Sequence, residues 1–329
     1  MKSRKISRFF HRFVIIGERS RGRLERKASC YGLRAATENS ERERDEWMLI
    51  ALDMDGTLLN GEGKISEQNR KAIMAAQAQG HLVAVVTGRA RKDALAPLRE
   101  AGLVCPIASL NGAIVTLEDG TVISQAPLER TVIRHALDWV REQSDLYCET
   151  YVGDEVYVGL HNRAQWEALA LEKTEVAPEV KWIVMKQFQQ ARVTYVDDIR
   201  TVWDDPKRVI YKLLIFSLDR ERLRDAASHF DPLPGVTVTS SHPHNIEVNN
   251  ERATKGEALK QLASHYGIDL RDTVVFGDSH NDLSMFEVAG CRVAMANAAP
   301  ELKSTCDFVT LSHEEDGVAA GLEQVLVRR

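Results

Sequence analysis

The sequence predicts an α/β protein, a doubly wound parallel sheet carrying an inserted α+β domain. Three observations support this. From Met48 onward, short apolar runs alternate with segments of helical spacing, the pattern of parallel strands joined by helical crossovers. The same pattern returns near the C-terminus, after a stretch (residues 125–242) whose composition differs. At 329 residues, 44% hydrophobic and 28% charged, the chain is long enough for two ordinary domains and has a globular balance.

The first strand is "MLIALD", residues 48–53, an apolar run that reads as buried and ends in two aspartates, Asp53 and Asp55, before Gly56 and Thr57. A helix near 66–79 opens on Ser66, a favourable N-cap, and closes at Gly80. "HLVAVVTG" follows as a strand, 91–101 as a helix, and "PIASLNG" as a short strand running into a turn. In such a βαβαβ start, ligands bind at the carboxyl ends of the strands. The C-terminal repeat of the pattern is "NIEV", a helix near 254–266, "TVVFGD", a helix near 281–289, "CRVAM", "DFVT" and a last helix from about 316. Residues 48–124 and 243–329 are therefore assigned to the core and 125–242 to the insert. The insert holds isolated strands such as "TYVGDEVYVGL" and "KRVIYKLLIFSL", helices near 129–142 and 219–230, and Trp139, Trp166, Trp182 and Trp203, expected to be mostly core. The polar "DDIRTVWDDP" at 197–206 reads as a linker.

Charge narrows the function classes. A formal net charge of -5 argues against a general nucleic-acid binder, which normally shows a basic excess. No apolar run approaches the length that spans a bilayer. Five widely spaced cysteines without zinc-like spacing fit a reducing cytosol. Residues 1–47 stand apart, since eleven Lys or Arg face two Glu over positions 1–35. Met48 directly precedes the first strand, so 1–47 reads as an upstream extension or disordered tail; an organellar targeting segment and a basic contact arm are the alternatives.

Four strand ends carry residues capable of chemistry: Asp53 and Asp55; Thr87, Gly88 and Arg89; Asn111 and Gly112; and Asp278 with Asn281 and Asp282. A lone Asp-x-Asp before Gly is ordinarily a turn. Carboxylates converging on one sheet edge, however, repel one another unless a cation compensates them. Oxygen-only ligation points to Mg²⁺, which shares its sphere with water and a substrate phosphate. Lys255 supplies a point charge, Thr87 and Asn281 neutral donors, and the backbone of "DGT" can fold around an anion. Arg89 is read as a site residue or a structural partner, His280 as a surface-loop residue, and His242 with His244 as a hinge or substrate-edge loop rather than a metal pair.

"DMDGTLL", "TGR", "TKGEAL" and "GDSHNDLSM" resemble the four motifs of the haloacid dehalogenase-like phosphatases. "LNGA" and the position of the insert resemble the Cof-type sugar-phosphate phosphatases among them. The resemblance spans about 48–329 and implies a Rossmann-like core with a cap that sets substrate choice. It implies Asp53 as nucleophile and Asp55 as general acid/base. Mg²⁺ is then held by Asp53, the Asp55 carbonyl and Asp278, with Asp282 ordering the outer shell. Thr87, Gly88, Asn111, Lys255 and Asn281 are implied to bind the phosphate. The expected substrate is a small phosphorylated metabolite, sugar phosphates first, then phosphorylated flavin-pathway or pyridoxal compounds. A phosphomutase or phosphotransferase on the same core, and a non-catalytic binding protein, are the competing readings; the oligomeric state is not legible.

Overall fold

A computed structural model describes residues 47–143, 146–160 and 193–327. In chain order the elements are β1 (Leu49–Leu52), α1 (Glu67–Ala78), β2 (Leu82–Val86), α2 (Arg91–Glu100), β3 (Ile107–Ser109), β4 (Ile114–Thr116), β5 (Val122–Gln125) and α3 (Arg130–Glu142). There follow β6 (Tyr147–Val152), β7 (Glu155–Gly159), β8 (Val193–Val196), α4 (Arg200–Trp203), β9 (Lys212–Phe216), α5 (Arg220–Phe230), β10 (Val236–Thr239) and β11 (Asn245–Asn250). The chain ends with α6 (Lys255–Tyr266), β12 (Thr273–Gly277), α7 (Leu283–Phe286), β13 (Cys291–Ala294), α8 (Pro300–Thr305), β14 (Phe308–Val309) and α9 (Gly317–Val327).

The first sheet has the order β14-β13-β12-β1-β2-β3-β4-β5. It is parallel from β14 to β3, and β1 pairs with β2 on one side and β12 on the other. The strand order reverses between β1 and β12, which places the crevice of a doubly wound sheet at their carboxyl ends. All four residues of β1 are fully buried, as expected of a central strand covered on both faces. The expected doubly wound parallel sheet is present, and after the turn at Leu110–Gly112 the chain reverses, so that β4 and β5 add an antiparallel edge to it. Ser66 caps α1 by accepting from Asn69 N at 3.1 Å. The helix expected over 281–289 is a short turn at His280–Asp282 followed by α7.

The second sheet has the order β10-β11-β9-β6-β7-β8 and is antiparallel except for the β7–β8 pair. Here the sequence reading is corrected. "NIEV" is not a core strand; it lies in β11, between β9 and β10, so the second sheet continues to Asn250 rather than ending near 242. Its alternation gives the reason, because Ile246 and Val248 join the apolar layer with α3 and α5 while Glu247 and Asn249 point to the opposite face. "TYVGDEVYVGL" is part of the β6–β7 hairpin, turning at Gly153, whose φ of 60° favours glycine. The 197–206 stretch is no plain linker: α4 buries Val202 and Trp203, and the indole N–H donates to Thr150 Oγ1 at 2.9 Å. His242 and His244 sit in the β10–β11 turn rather than at a domain crossing.

The two faces of the second sheet have different partners. Leu213, Ile215, Ile246 and Val248 pack beneath α3 and α5. Tyr147, Tyr151, Leu214 and Phe216 pack against Ala90, Leu110, Ala113 and Ala253 beside the first sheet's strand ends. Among the described residues no helix is long and apolar enough to cross a membrane. Among the described residues Cys105, Cys148, Cys291 and Cys306 are in no disulfide. The expectations for the basic N-terminal stretch, Trp166 and Trp182 lie outside the described residues.

Candidate active site

The aspartates ending β1 and β12 meet. Asp53, Asp278 and Asp282 bring carboxylate oxygens within 4.8 Å of one another. The Lys255 ammonium, at the first residue of α6, donates to Asp53 Oδ1 at 2.6 Å and to Asp282 Oδ1 at 2.5 Å. Asp282 Oδ2 accepts from the backbone N–H groups of Asp278 and Ser279, both at 2.9 Å. Both Asp282 oxygens are thus engaged, which holds the loop after β12 in shape. Asp278 is oriented by Thr57 and Ser279, whose hydroxyls donate to its two oxygens at 3.2 and 3.1 Å.

Close backbone approach makes this packing possible. Gly56 has φ +80°, and a Cβ there would lie 2.4 Å from Asp278 Oδ2. The "DGT" turn can therefore press against the second carboxylate only with glycine at its centre.

Three carboxylates against one ammonium leave the cluster with excess negative charge. Burial, with Lys255 opposing and the charges of Asp282 and Asp278 adding to it, pushes the Asp53 carboxyl well above its ordinary value. Burial and then the Asp282 charge push Asp278 up to about 7. Burial alone would lower Lys255, but Asp282 and Asp53 raise it above an ordinary lysine and keep it charged. An all-oxygen donor set short of positive charge fits a hard divalent cation. Beside it, Asn281 Oδ1 is buried without a hydrogen-bond partner among the described residues, a second sign of a polar occupant.

The remaining expected residues assemble next to this cluster. Thr87 ends β2, and its hydroxyl accepts from Arg89 N at 3.2 Å. Asn111 takes a left-handed backbone, φ 61°, following Leu110 at φ 52°. Such strain is held only where surroundings over-determine it, and the Asn111 side chain donates to Glu247 Oε2 at 2.8 Å and Asn249 Oδ1 at 3.1 Å. Asn281 Nδ2 donates to Asn111 Oδ1 at 3.2 Å, linking the third and fourth strand ends. The Asp55 carboxylate is not part of the cluster; Arg89 clamps it with two donors at 2.6 and 2.5 Å. Arg89 is thus a partner of an expected site residue, and His280 is exposed. His242 Nδ1 accepts from His244 N, and His244 Nδ1 faces Ser217 O; the pair forms no metal cluster among the described residues.

Sequence reading missed Lys212, Glu247 and Asn249, which approach the site from the second sheet. The available signal was a lysine inside the apolar "YKLLIF" and a glutamate inside "NIEVNN", charges where a buried strand should have none.

The family model described as haloacid dehalogenase-like hydrolase matches residues 50–322. A Bacillus subtilis protein named 5-amino-6-(5-phospho-D-ribitylamino)uracil phosphatase YwtE is 38% identical over 84% of this chain and 97% of its own length. Phosphatase YwpJ of the same organism is 33% identical over 84% of this chain and 99% of its own. A solved structure titled as a haloacid dehalogenase-like hydrolase from B. subtilis superposes with a TM-score of 0.76 at 32% identity, covering 84% of this chain and 99% of that one. One from Thermotoga maritima gives 0.66 at 28% identity, covering 84% and 97%.

Proposed function

The chain belongs to the haloacid dehalogenase-like hydrolases, and we propose that within that family it is a Mg²⁺-dependent phosphatase of small phosphorylated metabolites. The observation that carries this reading is the carboxylate excess around Lys255 at the carboxyl ends of β1 and β12. When bound, Mg²⁺ supplies the positive charge that lets a phosphate dianion approach, and the Asp53 and Asp278 carboxylates with the Asp55 carbonyl are the groups that would hold it.

Asp53 attacks phosphorus with one oxygen while Lys255 holds the other, and the P–O bond to the leaving alcohol breaks. Asp55 gives the departing oxygen its proton, then takes one from the water that cleaves the aspartyl-phosphate, so that inorganic phosphate leaves and both carboxyls return to their starting state. Asp55 must loosen or share its Arg89 clamp to do this, so Arg89 sets where the acid waits. Lys255, the Thr87 hydroxyl, Gly88, Asn111 and Asn281 hold the phosphoryl oxygens. Asp282 keeps Lys255 and the loop after β12 in place. This is phosphoryl transfer by positioning and charge neutralisation.

The substrate class is a polyhydroxylated carbon chain bearing a terminal phosphate, a sugar or sugar-alcohol phosphate. Support comes from the relative named for a phosphoribityl compound. The second sheet, whose inner face lies against the strand ends, acts as the cap that selects the leaving group. A phosphate-release screen across sugar, ribityl, nucleotide and cofactor phosphates, with and without Mg²⁺, tests the reading. Mg²⁺-dependent release with water as sole acceptor is expected; transfer to an added alcohol without phosphate release would make it a phosphotransferase.

A further inference from the structure

The turn Thr87–Gly88–Arg89 borders the candidate site, and each of its three carbonyls is held. Thr87 O accepts from Asn111 N and Arg89 O from Leu110 N, both at 2.9 Å and both within the first domain. Gly88 O accepts from Lys212 Nζ at 2.7 Å. That donor comes from β9, the middle of the second sheet.

A peptide is planar, so fixing the Gly88 oxygen fixes the N–H of Arg89. That N–H donates to Thr87 Oγ1. With Oγ1 serving as acceptor, the hydroxyl proton of Thr87 is left to donate to a ligand. Arg89, whose backbone the same peptide carries, clamps Asp55.

Lys212 does not act by adding charge. Its ammonium pairs with Glu247 Oε1 at 2.8 Å, and both side chains are about 2% exposed. The neutral pair is hydrogen-bonded further, since Glu247 accepts from Asn111 and Ser241, and Lys212 lies over the Tyr151 ring. A Cβ on Gly88 would come within 3.1 Å of Asn111 Oδ1 and 3.4 Å of Glu247 Oε1, so the turn and the pair are in direct contact. Asn249 adds a bond from the same sheet to Leu110 O at 3.3 Å.

We propose that Lys212 is a positioning residue for the candidate phosphate site, fixing the Gly88–Arg89 peptide and through it the Thr87 hydroxyl, so that this side of the site is complete only when the second sheet is seated on the first domain. The inference rests on the phosphatase reading for the identity of the ligand, but not for the geometry.

The test uses the full chain, its Glu247→Gln variant, and the double variant Lys212→Met/Glu247→Gln, which removes the tie without leaving an unpaired buried charge. Two quantities are read: hydrogen exchange of peptides covering residues 87–89 against those covering β1 and β12, and the affinity for inorganic phosphate in Mg²⁺ by calorimetry. In the double variant, exchange at 87–89 should rise and phosphate affinity should fall by about tenfold, the cost of losing a charge-assisted bond. The β1 and β12 peptides should not change, and Glu247→Gln, which keeps the Lys212 bond to Gly88, should lower phosphate affinity less than the double variant does. Unchanged exchange at 87–89 overturns the proposal, as does faster exchange with unchanged phosphate affinity, which is a purely structural role. If the double variant does not fold, Lys212→Arg, which keeps the ion pair but alters the donor at Gly88, is judged by the same two criteria. A parent that binds phosphate but hydrolyses no ester fails the phosphatase reading alone; a parent that binds no phosphate fails both.

Discussion

Among the described residues two buried lysines lie among carboxylates, and they have opposite surroundings. Lys255 faces two aspartates directly and a third, Asp278, close behind them. Lys212 faces one glutamate, and amide, hydroxyl and carbonyl groups complete the hydrogen bonding around the pair. The first centre is short of positive charge and the second is neutral. Burial of a lysine therefore says little by itself: carboxylate excess marks a place for a cation, while a matched pair marks a joint between elements.

The largest effect should follow from Asp53→Asn. Turnover should fall by about three orders of magnitude or more, as expected for loss of a nucleophile. In metal-free protein the same change should raise the melting temperature, because a carboxylate disfavoured by burial is neutralised. Lys212→Met alone should do the reverse in stability, since it strands Glu247 in the interior at a cost of about 3–5 kcal/mol. Phosphate-release assays and thermal melts on both variants decide the contrast. A destabilised Asp53→Asn in the absence of metal would show that the first centre is not carboxylate-rich in effect.

Metal and pH sharpen the difference. Asp278, pushed up to about 7, binds a proton in the folded protein across a range where the unfolded chain, near the ordinary 3.8, has already lost it. Metal-free stability at this centre should therefore fall as pH rises between those values. A cation takes the place of that proton, so the rise in melting temperature caused by Mg²⁺ should be greater at pH about 8 than at about 6. Calorimetric scans with Mg²⁺ and with a chelator at the two pH values measure this; a Mg²⁺ effect independent of pH would remove Asp278 from the ligand set.

How much of this was legible in sequence differs between the centres. Asp53, Asp278 and Asp282 lie at strand ends that a parallel sheet must place on one edge, so local pattern and topology sufficed to converge them. Lys212 and Glu247 meet through the antiparallel pairing of β9 with β11, a register that no local pattern specifies. For the same reason "NIEV" was read into the wrong sheet: four residues of alternating polarity next to a helix look alike in either setting, and only long-range pairing distinguishes them. Arg89 remained ambiguous because its partner, Asp55, lies 34 positions away on another strand end. Trp203, expected in the core of the insert, is buried although its neighbours in sequence are polar, because the residues that bury it come from other elements of the second domain.

The smallest effect should be that of Glu247→Gln, the most direct check that the second centre works by geometry rather than charge. The amide keeps one oxygen, for Lys212 or for Asn111, so the bond from Lys212 to Gly88 survives and kcat/KM should fall less than in the other variants. The Lys212 ammonium, left without its counter-charge, makes the folded protein less stable. The change should appear in the acid range. Burial would raise the Glu247 carboxyl, but Lys212 and the Asn111 donor hold it below its ordinary 4.5. A depressed carboxyl contributes stability that is present above the unfolded value and is lost as pH falls through the folded one. The parent should therefore be the more stable protein at pH about 6, and its advantage over the glutamine variant should shrink as the pH falls below about 4.5. Parallel melts of the two proteins across that range give the answer. If the gap is constant with pH, the carboxylate is not the form that Lys212 stabilises, and the pair cannot be the neutral joint that distinguishes it from the aspartate cluster around Lys255.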